Sequence, residues 1–432
     1  MAQDSKQRNI VILGGSYAGI SVAHWTMQHT LPRLPDSQSY IVVLVSASSQ
    51  TMCRPACPRA LISDNQFPPE KLFVDIAKQF GQYSMSHGLD RGNFRFVHGA
   101  ATHVDLKART VAVSLTSANS VTTEEILPFH SLVIATGASS TSPLLGLGPG
   151  LDAESLKQHW STFRRALPTA RHIVIAGGGP GGVETAGELG EHLNGRSGWF
   201  HLSPSNPRVQ ITLLNSGSNI LPQLRPSIAQ DAETYLARVG VNVTNNARVV
   251  SVSPAGAGFQ ENVSGMATVM LENGKQIEAD LYIPATAMKP HTSFLPASLL
   301  AQDGRVCTNA ALRVSADGAS RIYALGDCAD YAKPAVHSVL AAVPVLSSNL
   351  RRDLLLPNDY EGTCAAIPAE EDRIFKEDMR ETQMVPVGRS KGVGAVFGYR
   401  LPSFLVWLIK GRDYWLWTTA KLWSGKQWVN ES

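Results

Sequence analysis

Two glycine-rich loops, each opening directly from a short apolar run, constrain this chain more than any other feature. The first is Gly14-Gly15-Ser16-Tyr17-Ala18-Gly19 and the second is Gly177-Gly178-Gly179-Pro180-Gly181-Gly182. Residues 9–13 read as a buried parallel strand, 18–30 as a helix and 40–45 as the next strand. The second copy runs as a strand over 172–176, a helix over 181–193 and a strand over 209–214. Glycine at such a strand-to-helix turn lets the backbone bend tightly and lets phosphate oxygens approach. The N–H groups at the start of the following helix then face the anion. One loop of this kind is weak evidence. Two in β-α-β context predict an α/β chain with two Rossmann-like dinucleotide-binding domains. Two bound pyrophosphates imply electron transfer between two dinucleotides.

The rest of the sequence fits that frame. At 432 residues the chain has room for two or three domains. A formal charge of +3 carries no nucleic-acid signature. Five cysteines, an odd number, argue against a secreted disulfide framework. The polar first residues run straight into the first strand, so no secretory leader is expected, and Ala2 breaks the myristoylation pattern. No apolar run reaches the roughly 18 residues that cross a bilayer. A cytoplasmic location is expected, with the sequons at Asn242 and Asn262 unused there. No further Cys/His cluster suggests a metal.

Two more signals repeat the duplication. Leu132-Val133-Ile134-Ala135-Thr136-Gly137 is an apolar strand ending in a small-residue turn, and Leu281-Tyr282-Ile283-Pro284-Ala285-Thr286-Ala287 is its near-copy. These strand ends read as crossing points between the two domains. Ala324-Leu325-Gly326-Asp327 follows a strand-like stretch; Asp327 there can either bond a sugar-alcohol hydroxyl or cap a helix. Residues 194–207 read as a surface loop and Glu272-Asn273-Gly274-Lys275 as a hairpin turn. From Pro368 onward the composition changes, marking a small third domain.

In this order the motifs resemble the two-dinucleotide flavoproteins of the pyridine-nucleotide reductase type, with a glutathione-reductase-like fold. The resemblance spans nearly the whole chain. Within that group it is most similar to the apoptosis-inducing-factor-like branch. The segments that carry this are Cys53-Arg54-Pro55-Ala56-Cys57-Pro58-Arg59-Ala60 and the tail from Val387-Gly388-Arg389 through Lys410-Gly411-Arg412-Asp413. The resemblance implies FAD on Gly14, Gly15, Ser16, Ala18 and Gly19, with Ala135, Thr136 and Gly137 nearby and Gly326-Asp327 on the ribityl chain. It implies NADH or NADPH on Gly177, Gly179 and Gly182. Pro55 to Arg59, after Arg54, would line the flavin, Glu184 would sit near the nicotinamide carboxamide, and a helix starting near Pro334 would face the flavin pyrimidine. The domains implied are 1–145 with 285–360 for FAD, 146–284 for NAD(P), and 361–432. The activity implied is transfer from NAD(P)H through flavin to a small-molecule acceptor, a quinone. The alternative role is a redox-sensing flavoprotein acting through partners.

Some positions depart from the group's pattern. Ser16 replaces the middle glycine of the first loop, which ordinary backbone angles would allow. The second strand of each unit ends without the usual ribose-binding acid, in Ser46 and in Asn215. NADH and NADPH are therefore both open, and Arg225 is the only candidate partner for a 2′-phosphate. Cys53 and Cys57 have three residues between them, with two prolines in the segment, which opposes a regular helix. They read as reduced packing cysteines; the alternative is a redox disulfide fed by the flavin, or an oxidase role for the chain. Five of the eight tryptophans, Trp407, Trp415, Trp417, Trp423 and Trp428, lie in the last residues among Leu401, Phe404, Leu405, Ile409, Leu416 and several lysines. That pattern fits a lid or homodimer contact, and it equally fits peripheral membrane contact.

Overall fold

The computed structural model describes residues 7–84, 92–116, 123–148, 150–198, 200–260, 262–286, 288–315, 319–356 and 372–431. Ala287 and residues 361–371 of the tail lie outside them. The first sheet runs in the order Ile322–Ala324, Ser131–Ile134, Arg8–Leu13, Tyr40–Ser46, Phe94–Asp105, Thr110–Leu115, Thr123–Pro128. Its first five strands are parallel and its last two return antiparallel. A second, all-parallel sheet has the order Val241–Thr244, Gln210–Leu214, His172–Ala176, Leu281–Pro284. In each, the strand that feeds the glycine loop is central, covered on both faces, and continuously apolar for that reason.

Each loop enters a helix. The first begins at Tyr17, runs to Trp25 and continues through a π turn to Thr30. The second spans Pro180–Asn194, with Pro180 at its first turn, where a missing N–H breaks no helical bond. It ends at Gly195 with φ +72°.

The C-terminal segment joins the two units. A hairpin of Gln383–Val387 and Lys391–Val396 lies against the helix Pro180–Asn194. Gly187 permits this approach: a Cβ there would lie 2.9 Å from the Gly388 nitrogen. Val385, Val387 and Tyr414 share the core of the second unit, whereas Leu422, Trp423 and Trp428 share the core of the first. The last helical turns are fastened to the first-loop helix through their free carbonyls. His24 Nε2 meets the Trp423 carbonyl at 2.8 Å, Gln28 donates to that of Gly425 at 3.2 Å, and His29 meets that of Trp428.

Candidate functional site

The two glycine loops are built alike at atomic detail. Gly14 donates its N–H to the Val45 carbonyl at 2.8 Å, and Gly177 donates to that of Leu214 at the same distance. Both glycines have positive φ, +120° and +129°, and a Cβ on either would stand 2.1 Å from a carbonyl oxygen, of Ala135 or of Ala285. A Cβ on Gly19 or Gly182 would lie 1.8 or 1.9 Å from the carbonyl oxygen of Gly14 or Gly177. These four glycines are required by the protein itself.

The middle position obeys a different rule. A Cβ on Gly179 would meet nothing within 4 Å. Its φ of −75° is open to any residue, as is the −130° of Ser16. Glycine at 179 is therefore not required by the fold, and it leaves room for a group such as a pyrophosphate close over the loop. Both cradles fit that group: a helix N-terminus without side-chain caps, a tight turn, and room above the middle residue.

Gly326-Asp327 comes to the first loop, as a Cβ on Gly326 would lie 3.3 Å from the Ala18 methyl. Asp327 has its carboxyl pKa pushed up by burial, with Arg54 opposing from 3.9 Å. Arg54 also donates to the Ala138 carbonyl at 2.7 Å, and its stem packs on Gly146. At the turn that follows Ala135, Thr136 donates to the His291 carbonyl at 2.6 Å, and His291 N–H donates to the Gly137 carbonyl at 2.9 Å.

Pro55 sits in a single 3-10 turn, Arg54–Ala56, and a short α turn, Cys57–Ala60, follows it. Cys53 and Cys57 are free and buried. Burial raises the Cys53 thiol to about 11, while its hydrogen bond to Tyr17 lowers it; burial drives Cys57 up as well. Thiols held protonated are poor nucleophiles and poor redox partners. The Cys53 thiol instead donates to the Tyr414 carbonyl at 3.4 Å.

Glu184 and Glu188 lie one turn apart on the helix after the second loop, 4% and 2% exposed. Such carboxylates need partners. Lys410 Nζ stands 2.6 Å from Glu184 and donates to the Met384 carbonyl at 2.9 Å. Burial raises the Glu184 pKa, and Lys410 holds it back. Glu188 accepts from Arg59 Nη2 at 2.7 Å and from the Tyr414 hydroxyl at 2.9 Å. Arg59 further donates to the carbonyls of Gly411, Arg412 and Gly388. Lys410 lies in a π turn, Trp407–Gly411, closed by the Arg412 N–H on the Trp407 carbonyl. Sequence reasoning missed Lys410, Glu188 and Tyr414. The available signal was two buried-face glutamates at i, i+4 with no cation on their own helix.

Asn215 is buried beside the second loop, and a Cβ on Gly178 would be 2.5 Å from its Oδ1. Arg225 does not reach it: its guanidinium is bound to Glu381 and to the Gly398 carbonyl. Ser46, the counterpart of Asn215 in the first unit, turns its hydroxyl to the Ser48 carbonyl at 2.8 Å.

Residues 4–344 match the profile of the pyridine nucleotide-disulphide oxidoreductases. The protein named oxidoreductase phnG of Penicillium herquei is 54% identical over 428 residues, covering 99% of each chain. Human ferroptosis suppressor protein 1 is 26% identical over 435 residues, covering 97% of this chain and 96% of its own. Among solved structures, the NAD-dependent persulfide reductase from A. fulgidus aligns with a TM-score of 0.61 at 19% identity. The alignment covers 90% of this chain but 64% of that one, a little under two thirds of its length. This likeness concerns the fold.

Proposed function

This chain belongs to the pyridine nucleotide-disulphide oxidoreductase family, and on that premise we propose that it uses NAD(P)H to reduce a quinone through FAD. When bound, the flavin supplies the redox chemistry, taking up hydride and passing on electrons, while the protein binds and orients. The observation that carries the reading is the duplicated cradle, with the same glycine contacts built twice in one chain.

In this reading residues 1–145 and 285–360 hold FAD, 146–284 hold NAD(P)H, and 361–432 form the C-terminal domain, whose described residues 383–428 strap the two together. Gly14, Gly15, Ser16, Ala18 and Gly19 receive the flavin pyrophosphate, Asp327 receives a ribityl hydroxyl, and Arg54, Ala135, Thr136 and Gly137 border the same cofactor. Gly177, Gly179 and Gly182 receive the second pyrophosphate and Asn215 its ribose. Pro55, Arg59 and Glu184 face the reaction side. Lys410 keeps the buried Glu184 from standing as an unpaired charge.

A quinone is favoured over a disulfide as acceptor because Cys53 and Cys57 are unpaired and their thiols are held protonated by burial. A quinone needs no such relay. The tail supports the same acceptor. Phe404, Trp407, Leu408 and Trp417 are 63%, 36%, 46% and 59% exposed, with Arg412 and Lys421 also exposed. Aromatics and cations in this pattern suit a lipid interface, and no helix among the described residues is long and apolar enough to cross a membrane.

A steady-state screen of NADH and NADPH against a short-chain quinone, disulfides and oxygen tests the function. Rapid quinone-dependent oxidation is expected. Disulfide turnover that disappears in Cys53→Ser would overturn the quinone reading. Salt-sensitive co-sedimentation with anionic vesicles is expected for the tail, and no binding at low salt would end the membrane part.

A further inference from the structure

A hydrogen-bond relay fixes which end of Asn215 faces the second loop, and its bearing on the ligand rests on the assignment of that loop to NAD(P)H. Asn215 occupies the place where a ribose-binding acid commonly stands. Its side chain has a donor end and an acceptor end, and the neighbours decide which one faces the ligand. The chain of neighbours begins at Glu233, on the helix Pro226–Ala237. An ionised carboxylate only accepts, so Asn245 turns Nδ2 to it, at 2.9 Å from Oε1. Asn245 must then present Oδ1 to Asn215, whose Nδ2 lies 2.8 Å away. That same Nδ2 donates to the Gly217 carbonyl at 3.0 Å. Both N–H groups of Asn215 are thereby used within the protein. Its Oδ1 is left facing the loop at Gly178. Reversing Asn215 would set its oxygen against the Gly217 carbonyl and Asn245 Oδ1, and reversing Asn245 would set oxygen against Glu233.

We propose that this relay makes the site select NADH over NADPH. The adenosine 2′-hydroxyl of NADH donates to Asn215 Oδ1. The 2′-phosphate of NADPH brings acceptor oxygens and negative charge to a group that offers no N–H. Arg208 donates to the Pro168 carbonyl at 3.1 Å, Arg225 holds Glu381, and Arg248 stands 3.7 Å from Glu272. Glu233 is a positioning residue. It acts through Asn245 and touches no ligand.

The test is equilibrium titration of the FAD-loaded protein with ADP-ribose and with 2′-phospho-ADP-ribose, which isolates the adenosine half. ADP-ribose should bind about tenfold more tightly or better. Glu233→Lys puts a donor at the head of the relay and should turn Asn245 round, so that its Nδ2 competes with the Gly217 carbonyl for the orientation of Asn215 and the ratio falls by about tenfold. The isosteric Glu233→Gln tolerates either direction and should give an intermediate ratio, which also serves if the lysine variant does not fold. A purely structural role for Glu233 would weaken both probes together and leave the ratio unchanged, which would overturn the proposal. Equal affinities in the natural protein, with NADH still reducing the flavin, would overturn the proposal alone. Failure of both probes to bind would overturn it together with the assignment of the loop.

Discussion

The two glycine loops separate what a backbone demands from what a ligand demands. At Gly14 and Gly177, and again at Gly19 and Gly182, the same collision with a carbonyl oxygen recurs in both units, so glycine is needed whether or not anything is bound. At the middle position the loops diverge into Ser16 and Gly179. Neither has a backbone angle that calls for glycine, and a Cβ at 179 has open space before it. In the proposed function that difference corresponds to how closely each pyrophosphate passes. The strand ends diverge too: Ser46 bonds within its own turn, whereas Asn215 is wired to Asn245 and Glu233 on other elements. One unit holds its strand-end group locally, and the other sets it through a relay.

The largest expected effect comes from breaking the shared rule. Gly14→Ala should lose FAD, and Gly177→Ala should lose NAD(P)H binding while FAD stays. Each also destabilises the fold, because the Cβ must displace backbone at 2.1 Å in a positive-φ conformation. Flavin content and thermal unfolding check both. Equal loss of FAD in the two variants would erase the distinction between the units.

Asp327→Ala should weaken FAD binding by roughly 1.5–3 kcal/mol through loss of a charge-assisted hydrogen bond. The second loop should be unaffected. Unchanged flavin affinity would remove Asp327 from the flavin site.

A similar effect is expected where the tail meets the first-loop helix. His24 is fully buried, and burial lowers its pKa from 6.5 to about 4 while its bond to the Trp423 carbonyl opposes the shift. The unfolded chain then binds the proton first as pH falls. The stability that goes with a neutral His24 is complete above about 6.5 and is lost toward pH 4, on the order of 3 kcal/mol in all. Thermal melts across that window should fall less steeply in His24→Gln. Parallel pH profiles would show that His24 does not titrate with unfolding.

The smallest effect is expected at the cysteines. Cys53→Ser and Cys57→Ser should keep quinone reductase activity near the natural level. Anaerobic titration should show two electrons per flavin in the natural protein and in the double variant alike. Four electrons in the natural protein and two in the variant would restore the redox-disulfide reading.

How much of this was legible in the sequence follows from the range of each interaction. The loops are local: strand, glycines and helix are contiguous, so composition and order suffice. The ordinary angle of Ser16 was also readable as a condition, and it is met at φ −130°. The ion pair of Lys410 with Glu184 joins positions 226 residues apart, and no periodicity announces it. Arg225 shows the opposite failure. Its nearness to Asn215 along the chain suggested a phosphate partner, but the fold turns it to Glu381. The tail's tryptophans were conspicuous as composition. Their division into Trp423 and Trp428 inside and Trp407 and Trp417 outside depends on where the first-loop helix lies.

The contrast between the loops is tested most directly at Gly179, where the fold itself sets no requirement for glycine and a bound pyrophosphate would. The measurement is flavin content together with anaerobic rapid mixing of Gly179→Val with NADH and NADPH. The account predicts a yellow, normally stable protein with full FAD whose flavin is no longer reduced by either dinucleotide, because the new side chain fills only the path of the second pyrophosphate. A variant that loses FAD and still binds nicotinamide dinucleotide would reverse the two loops and contradict the account.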